Sequence, residues 1–294
     1  MRSYLFQRER VGGMERVLIV GALTFVGYHL VNKMIAEEVE VYGLDFDEFD
    51  SMTKINEEKL LLIGRNALFT YYSIRDEDGW RSVEEERFDT VYFCLYEPNQ
   101  QSGFRNERVI LQYLKRIIRM CEEQKVKLNL ISSIEVGSTD ESENKRLFLK
   151  VEEGLKKGNL QYSVFRVPTL YGPWQPSFMM FHQLILSELG EKECRCTIEE
   201  KGNDLLYVED VCEYLWENGT NGAHLGIYNL LSGKQSLWEK GMNLLRADDK
   251  VNKNNNEVRD EAIEVISIKR NTPLEYGLNK QLAHMKKYKE LYEG

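Results

Sequence analysis

The sequence lacks several features that would place it in particular protein classes. It has five prolines and four histidines in 294 residues, and no run of about 18 apolar residues, the length a membrane-spanning helix requires. Basic residues are also outnumbered, because 39 Lys and Arg stand against 48 Asp and Glu, a net charge of −9. The missing apolar run argues against a membrane protein. The acidic balance argues against a nucleic-acid-binding surface or a polybasic membrane anchor.

The cysteine and histidine patterns indicate neither a disulfide framework nor a metal site. The number of cysteines is odd and they are scattered, at positions 94, 121, 194, 196 and 212, which suits reduced thiols in the cytoplasm. Cys194 and Cys196 have no second Cys or His pair nearby, and the histidines are far apart in the chain. We therefore expect a cytoplasmic protein without a metal ion.

The first thirteen residues and the rest of the chain differ in character. Residues 1–13 carry charges and no apolar core, so they do not resemble a secretory signal. We expect a disordered tail there, or a true start at Met14. The remainder is long enough, at an overall 42% hydrophobic, to bury a large core as one domain or as one domain with a lobe.

Short apolar runs alternate with helix-period segments along most of the chain. The candidate strands are residues 16–20, 39–44, 67–72, 90–95, 128–132, 161–166 and 226–230. Such alternation predicts a doubly wound parallel sheet, an α/β fold of the Rossmann type. After Pro173 the alternation weakens, which indicates a smaller C-terminal lobe. We assign residues 14–173 and 203–233 to the sheet domain, and residues 174–202 and 234–294 to the lobe.

A glycine turn between the first strand and the first helix is the most informative local feature. Gly21 and Gly27 occupy the first and last positions of a dinucleotide-binding fingerprint, and Asp45 ends the second strand about 20 residues later. The N–H groups at the helix start, including those of Phe25 and Val26, would face a diphosphate. Asp45 would accept from the adenosine ribose hydroxyls, which favours NAD over NADP.

The middle position of this fingerprint is Thr24, where the pattern has a third glycine. A Cβ there crowds the diphosphate, and a left-handed backbone would add about 1–2 kcal/mol of strain. The hydroxyl could offset part of this by donating to a phosphate oxygen. A protein that binds no dinucleotide, because Thr24 closes the turn, is therefore an open alternative.

The helix predicted over residues 106–123 is apolar on more than one stripe. Such a helix is buried on two sides. One side would meet the sheet and the other a second copy of the chain, so we expect a homodimer.

Five further segments occur in the order of one known family. They are Asp89 to Tyr96, Asn129 to Gly137, Arg166 to Pro173, Leu205 to Val211, and Tyr228 to Gly233. With the glycine turn, they resemble the extended short-chain dehydrogenase/reductase family, the NAD-dependent epimerases and dehydratases of nucleotide sugars. The resemblance covers about residues 14–240. It implies NAD along the carboxyl edge of the sheet, contacted also by Leu95 and Pro168.

The resemblance also implies hydride transfer at a sugar carbon, assisted by a Ser and by a Tyr-x3-Lys pair. Ser133 matches the serine and Lys150 the lysine, which would also contact the cofactor, but Arg146 stands where the tyrosine is expected. Loss of a general acid–base lowers a rate by roughly 10²–10⁴-fold. Tyr96 and Tyr171 are candidates to replace it.

Two expected substrate contacts are also altered. Thr169 stands where the family often has Asn, and Asn203 where it often has an Arg that clamps the diphosphate. We include Arg146 with these two as candidate substrate contacts. The sequence thus predicts a divergent NAD-dependent epimerase/dehydratase-like oxidoreductase or isomerase with a degenerate active site. The alternative is a non-catalytic NAD-binding sensor or assembly protein.

Overall fold

The computed structural model describes residues 14–45, 52–95, 107–138, 143–190, 204–219, 224–245, 263–269 and 271–292. The tail over residues 1–13 and the predicted site residues Tyr96 and Asn203 lie outside these ranges. The strands are β1 (Arg16–Val20), β2 (Glu40–Asp45), β3 (Phe69–Ser73), β4 (Thr90–Cys94), β5 (Lys127–Ser133), β6 (Tyr162–Val167), β7 (Thr169–Tyr171), β8 (Leu205–Tyr207), β9 (Gly226–Leu231) and β10 (Glu264–Ser267). The helices are α1 (Phe25–Ala36), α2 (Lys54–Ile63), α3 (Glu77–Glu85), α4 (Glu107–Gln124), α5 (Glu143–Lys157), α6 (Met180–Glu188), α7 (Val208–Gly219), α8 (Leu237–Leu244), α9 (Leu274–Lys287) and α10 (Lys289–Tyr292).

Eight of these strands form one sheet in the order β10-β9-β6-β5-β4-β1-β2-β3, and each neighbouring pair is parallel. The predicted doubly wound sheet is thereby confirmed. The strand order reverses between β1 and β4. In sheets of this kind a crevice opens at that switch point, outside the carboxyl ends of the strands.

Helices cover both faces of the sheet, which explains why its central strands are apolar throughout. One core contains residues of α1, α2 and α7, and the other contains residues of α3, α4 and α5. With both faces buried, a strand has no solvent side on which polar residues would alternate. This is the reason that continuous apolar runs marked the strands in the sequence.

A smaller core lies beyond the main sheet, and it includes β7 and β8, which the predicted division placed in the sheet domain. It joins the two-stranded β7–β8 sheet to α6, α8 and α9 through Tyr171, Phe181, Tyr207, Trp238 and Leu278. The assignment of residues 234–294 to the lobe needs one correction. Strand β10 pairs with β9 as an edge of the main sheet, because its backbone continues the parallel ladder.

Helix α4 runs close to its predicted bounds, but its second apolar stripe is covered within the chain. Its buried side chains, among them Leu114 and Ile117, belong to the core shared with α3 and α5. Of the described residues, those with large exposed apolar side chains all lie outside α4. The apolar stripe that supported a homodimer is therefore used inside one chain. Across the described ranges no helix combines the length and the apolar character that crossing a membrane requires.

Candidate active site

The β1–α1 turn lies at the switch point and depends on glycine at two positions. Gly21 has φ +80°, and a Cβ there would overlap the carbonyl oxygen of Cys94. A Cβ on Gly27 would overlap the carbonyl oxygen of Gly21. An alanine at either position would displace α1 from the end of β1. The geometry supports the predicted roles of both glycines in the turn and in helix packing.

Thr24 fits this turn without backbone strain and uses its hydroxyl within it. Its φ of −63° and ψ of 168° are extended, so the left-handed strain considered from the sequence does not arise. The hydroxyl donates to the Gly21 carbonyl oxygen at 2.7 Å and accepts the Gly27 N–H at 3.2 Å. Thr24 is the N-cap of α1, which such residues stabilise by about 1 kcal/mol. Its proton points to the turn itself, and not to a phosphate position as expected.

The first turn of α1 keeps a donor that could meet an anion. The Tyr28 N–H bonds to the Thr24 carbonyl oxygen, and Thr24 caps Gly27. Within the described part of the chain the Val26 N–H has no hydrogen-bond partner, as expected for a first-turn amide. Phe25 begins the helix beside it. A diphosphate at this helix end would find the Val26 N–H and the positive end of the helix dipole.

Asp45 lies at the tip of β2, beside the turn, and is buried. One oxygen of its carboxylate accepts the Leu23 N–H at 2.5 Å. The charge also contributes to the raised pKa of the Cys94 thiol at the end of β4, although burial is the main cause. The carboxylate therefore lies against the β1–α1 turn. Asp45 is thus placed where the predicted ribose contact would be, and its bond to Leu23 also stabilises the turn.

Lys59 of α2 brings a cation to the same turn. Its ammonium donates to the Leu23 carbonyl oxygen at 2.6 Å and lies 5.8 Å from the ring of Tyr28 and 5.9 Å from that of Trp174. The residue is 2% exposed. Sequence reasoning missed it because a lysine in a crossover helix carries no distinguishing pattern.

The whole turn from Gly21 to Gly27 is buried. Little of the surface of these residues is accessible to a ligand. The turn thus has the glycines and the acid that a dinucleotide site is expected to have. It also has the Thr24 cap, which would compete with a phosphate for the Gly27 N–H.

Ser133 ends β5 at the same edge of the sheet. Its hydroxyl oxygen accepts the Glu135 N–H at 3.2 Å and so begins a short 3₁₀ turn over Ile134–Gly137. The hydroxyl proton makes no hydrogen bond to any residue in the described ranges. It can be donated to a ligand oxygen, which is the role that sequence analysis assigned to it.

The preceding residue, Ser132, belongs to a buried ionic network. It donates to Glu152 of α5 at 2.8 Å, and Arg166 of β6 donates to both oxygens of that carboxylate, at 3.0 and 2.8 Å. Both charged side chains are almost fully buried, with 5% and 1% exposure for the arginine and the glutamate. A paired charge of this kind fixes α5 on the sheet and sets which of its faces points inward.

Lys150 and Arg146 lie on the opposite side of α5 from Glu152, because two and six residues correspond to rotations of about 200° and 240° on a helix. The Lys150 ammonium is half exposed and pairs with Glu107 of α4 at 2.7 Å, and Arg146 is exposed. Neither side chain forms a hydrogen bond or ion pair with Ser133 in the described ranges. The predicted catalytic, cofactor and substrate roles of this pair stay predictions, which their orientation toward solvent does not favour.

Two other residues of α5 share the face of Glu152. Phe148 is buried in the core, and Lys145 donates to the Ser138 carbonyl oxygen at 2.7 Å, just after the 3₁₀ turn that Ser133 begins. Lys145 therefore places a cation of α5 beside the turn that Ser133 begins. Lys145 lies seven residues, or about two helical turns, before Glu152. This spacing puts both on one face of the helix and is the sequence signal that could have identified Lys145.

The remaining predicted residues lie along the same edge, with one exception. Leu95 directly follows β4, Pro168 connects β6 to β7, and Thr169 begins β7; all three are buried. Tyr171 instead packs in the core of the lobe against Phe181 and Tyr207. Burial raises its pKa well above that of a free tyrosine, which removes it as a base near neutral pH.

The described residues contain no group of three or more His, Cys, Asp or Glu side chains that could hold a metal ion. Cys94, Cys121 and Cys212 are buried free thiols. The chemistry of the described site thus depends on three features: a turn that could bind an anion, the Ser133 hydroxyl, and nearby lysines.

Comparison with known proteins gives one family and a consistent fold. The sequence profile described as "NAD dependent epimerase/dehydratase family" matches residues 17–230, well over half of the chain. A curated relative, the uncharacterized protein YjaV of Bacillus subtilis (strain 168), is 27% identical over 104 residues, which are 32% of this chain. The matched region spans 56% of the length of that relative.

Three solved structures share the fold over nearly their whole lengths. A UDP-glucuronic acid 4-epimerase from Bacillus cereus, in complex with UDP-glucuronic acid and NAD, has a TM-score of 0.69 and 18% identity, covering 92% of this chain and 99% of that one. The enzyme WbmH of Bordetella bronchiseptica, with NAD⁺, has a TM-score of 0.68 and 13% identity, covering 94% and 99%. A dTDP-glucose 4,6-dehydratase from Bacillus anthracis, with NAD, has a TM-score of 0.67 and 16% identity, covering 94% and 98%.

Proposed function

Because the chain belongs to the NAD dependent epimerase/dehydratase family, we propose that it binds NAD at the β1–α1 turn and acts on a nucleotide sugar by hydride transfer. The observation that carries the proposal is the junction of Gly21, Gly27 and Asp45 at the switch point of the sheet. Similar structures that contain NAD or nucleotide sugars add support by analogy of fold.

Asp45 makes NAD the expected cofactor and NADP a weaker one. A 2′-phosphate beside its carboxylate would suffer a repulsion of about 1–4 kcal/mol, depending on screening. The diphosphate would rest at the first turn of α1, on the Val26 N–H. Bound NAD would supply a hydride acceptor at a sugar carbon.

Ser133 is the residue we assign to the reacting oxygen of the substrate, since its proton is available. The acid–base group is the weak point of the proposed reaction. Lys150 and Arg146 face away from the serine, and the raised pKa of Tyr171 makes it a poor base. Tyr96 stays a candidate by its position in the sequence, and Lys145 is a cation of α5 that contacts Ser138, just after the turn that Ser133 begins. We propose an active site that departs from the family pattern and turns over slowly.

A second candidate function is favoured by the hydrogen bonds of Thr24. Because its side chain caps the Gly27 N–H in a buried turn, the chain could keep the fold without binding any dinucleotide. A non-catalytic NAD sensor or assembly protein is a third candidate, which shares cofactor binding with the first and the lack of a reaction with the second. It would bind NAD and release no product.

Thermal unfolding with added NAD tests the cofactor assignment. A ligand at 100 times its dissociation constant adds about 2.7 kcal/mol of stability, so the melting temperature should rise measurably with NAD or NADH. NADPH is the matched control and should shift it less. The same melting temperature with all three nucleotides would exclude NAD binding and favour the second candidate.

If NAD binds, nicotinamide absorbance with a panel of nucleotide sugars separates enzyme from sensor. We also propose that the protein is cytoplasmic. The buried free thiols fit a reducing compartment.

A further inference from the structure

Residues 172–175, which we call the bridging segment, follow β7 and lie between α1 and α9. Helix α1 begins at the proposed cofactor turn, whereas α9 belongs to the lobe. Trp174 of this segment is 6% exposed and has φ +63°, a left-handed conformation that residues with a Cβ rarely adopt. Strained backbone of this kind persists only where the surrounding contacts hold it, and it occurs preferentially at functional sites.

The bridging segment contacts α1 at two points. His29 donates from Nε2 to the Pro173 carbonyl oxygen at 2.8 Å, and the ring of Tyr28 lies 5.8 Å from that of Trp174, edge to face. Tyr28 and His29 belong to the first two turns of α1. Both contacts therefore act on the start of this helix, close to the Val26 N–H.

Helix α9 contacts the other side of the bridging segment. The rings of His284 and Tyr288 lie 4.3 and 4.8 Å from that of Trp174. The side chain of Gln281, which is 1% exposed, accepts the Gly172 N–H at 3.0 Å. Two aromatic rings and one buried amide thus fix the segment to α9, and they help to hold Trp174 in its strained conformation.

Lys59 connects Trp174 to the cofactor turn itself. Its ammonium lies 5.9 Å from the centre of the Trp174 ring and 5.8 Å from that of Tyr28. The same ammonium donates at 2.6 Å to the carbonyl oxygen of Leu23, whose N–H is bonded to Asp45. A cation is attracted to the face of an aromatic ring, and more strongly where water is excluded. The two rings therefore favour the position in which Lys59 reaches the turn.

We infer that docking of α9 on the bridging segment is coupled to NAD binding at the β1–α1 turn, through Trp174 and Lys59. The inference rests on the proposed function for the identity of the ligand as NAD. While α9 is docked, Trp174 and Tyr28 hold the Lys59 ammonium at the Leu23 carbonyl oxygen, which keeps the turn in the shape that NAD binds. Loss of the α9 contact therefore weakens NAD binding, and bound NAD stabilises the docked helix, because coupling between two sites is reciprocal. Lys59 and Trp174 act as positioning residues and are assigned no contact with the cofactor.

Amide hydrogen exchange of the full chain, measured without NAD, tests the coupling first. His284→Ala removes one ring from Trp174, and it should speed exchange in peptides that cover residues 21–28. Lys59→Met should have the same effect, and Tyr288→Ala, which removes the other ring, should reproduce that of His284→Ala. Lys286→Ala is the matched control, because Lys286 is exposed on the same helix. In the double variant of Lys59 and His284 the two effects should not add, since both act through one set of contacts.

Calorimetric titration with NAD is the second measurement. His284→Ala should raise the dissociation constant by about 5-fold or more, and by much less when Lys59→Met is already present. Additive effects of the two substitutions would indicate separate structural damage and would overturn the inference. Unchanged exchange at residues 21–28 in both α9 variants would also overturn it, as would faster exchange with unchanged NAD affinity.

The two measurements separate this inference from the proposed function. Wild-type protein that does not bind NAD refutes the proposed function and removes NAD as the coupled ligand. The exchange measurements need no ligand, so they still decide whether α9 and the turn are coupled.

Discussion

The hydroxyl of Thr24 closes the β1–α1 turn from inside, by accepting the Gly27 N–H and donating to the Gly21 carbonyl oxygen. The same atoms that stabilise the start of α1 remove one N–H group from the set available to a diphosphate. Fold stability and anion binding therefore compete at a single side chain.

Replacement of Thr24 by glycine measures that competition. Glycine is an acceptable N-cap, so Thr24→Gly should change the free energy of unfolding by only a few tenths of a kcal/mol. The freed Gly27 N–H should strengthen NAD binding, measured by titration of protein fluorescence. Thr24→Ser keeps the hydroxyl and is the control. Weaker NAD binding in Thr24→Gly than in Thr24→Ser would show that the hydroxyl assists the cofactor.

At the scale of elements, helix α5 has two faces with different tasks. Its inner face carries Glu152, which holds Ser132 and Arg166, and its outer face carries Lys150, which pairs with Glu107 in solvent. A buried pair is costly to break, whereas an exposed pair contributes about 0–1 kcal/mol. The inner face therefore fixes the helix beside Ser133.

Neutral substitutions of two adjacent glutamates test this division. Glu152→Gln leaves Arg166 buried without its counter-charge and should lower the free energy of unfolding by about 3–5 kcal/mol. Glu153→Gln removes the same charge from an exposed position and should change it by less than about 0.5 kcal/mol. Urea unfolding followed by circular dichroism gives both values. Equal effects of the two substitutions would contradict the assignment of the inner face.

At the scale of the whole molecule, three buried or partly buried histidines lie in or beside the contact between the sheet domain and the lobe. His29 of α1 donates from Nε2 to the Pro173 carbonyl oxygen at 2.8 Å, and the ring of His284 on α9 lies 4.3 Å from that of Trp174. His182 of α6 bonds through Nδ1 to Gln175 at 2.9 Å. Burial lowers the pKa of His29 and His182 to about 4 and that of His284 to about 3.

These lowered values predict acid sensitivity of the junction. A histidine has a pKa near 6.5 in the unfolded chain and near 4 in the folded one. As the pH falls, the unfolded chain therefore takes up the proton at a higher pH than the folded chain does, which favours unfolding. Its contribution is complete above about pH 6.5 and is lost as the pH falls toward 4, on the order of 3 kcal/mol for each of His29 and His182. Thermal unfolding between pH 4 and 7 measures the loss. His29→Gln keeps a donor and should flatten the slope.

The sequence by itself determined the parallel sheet, most of its strands, and the turn with Gly21, Gly27 and Asp45. These features follow from burial on both faces and from local backbone geometry, both of which leave a periodic or glycine signal in neighbouring residues. The family was also readable, because its segments follow one another in order along the chain.

Only the tertiary structure decided which side chains meet at the edge of the sheet. The spacing of Lys150 and Arg146 matched a motif, yet the rotation of α5 about its axis depends on the burial of Glu152 against Arg166, far away in the chain. Lys59 reaches the turn through packing between separate segments. Such meetings leave no trace in local sequence, since each partner alone is an ordinary polar residue.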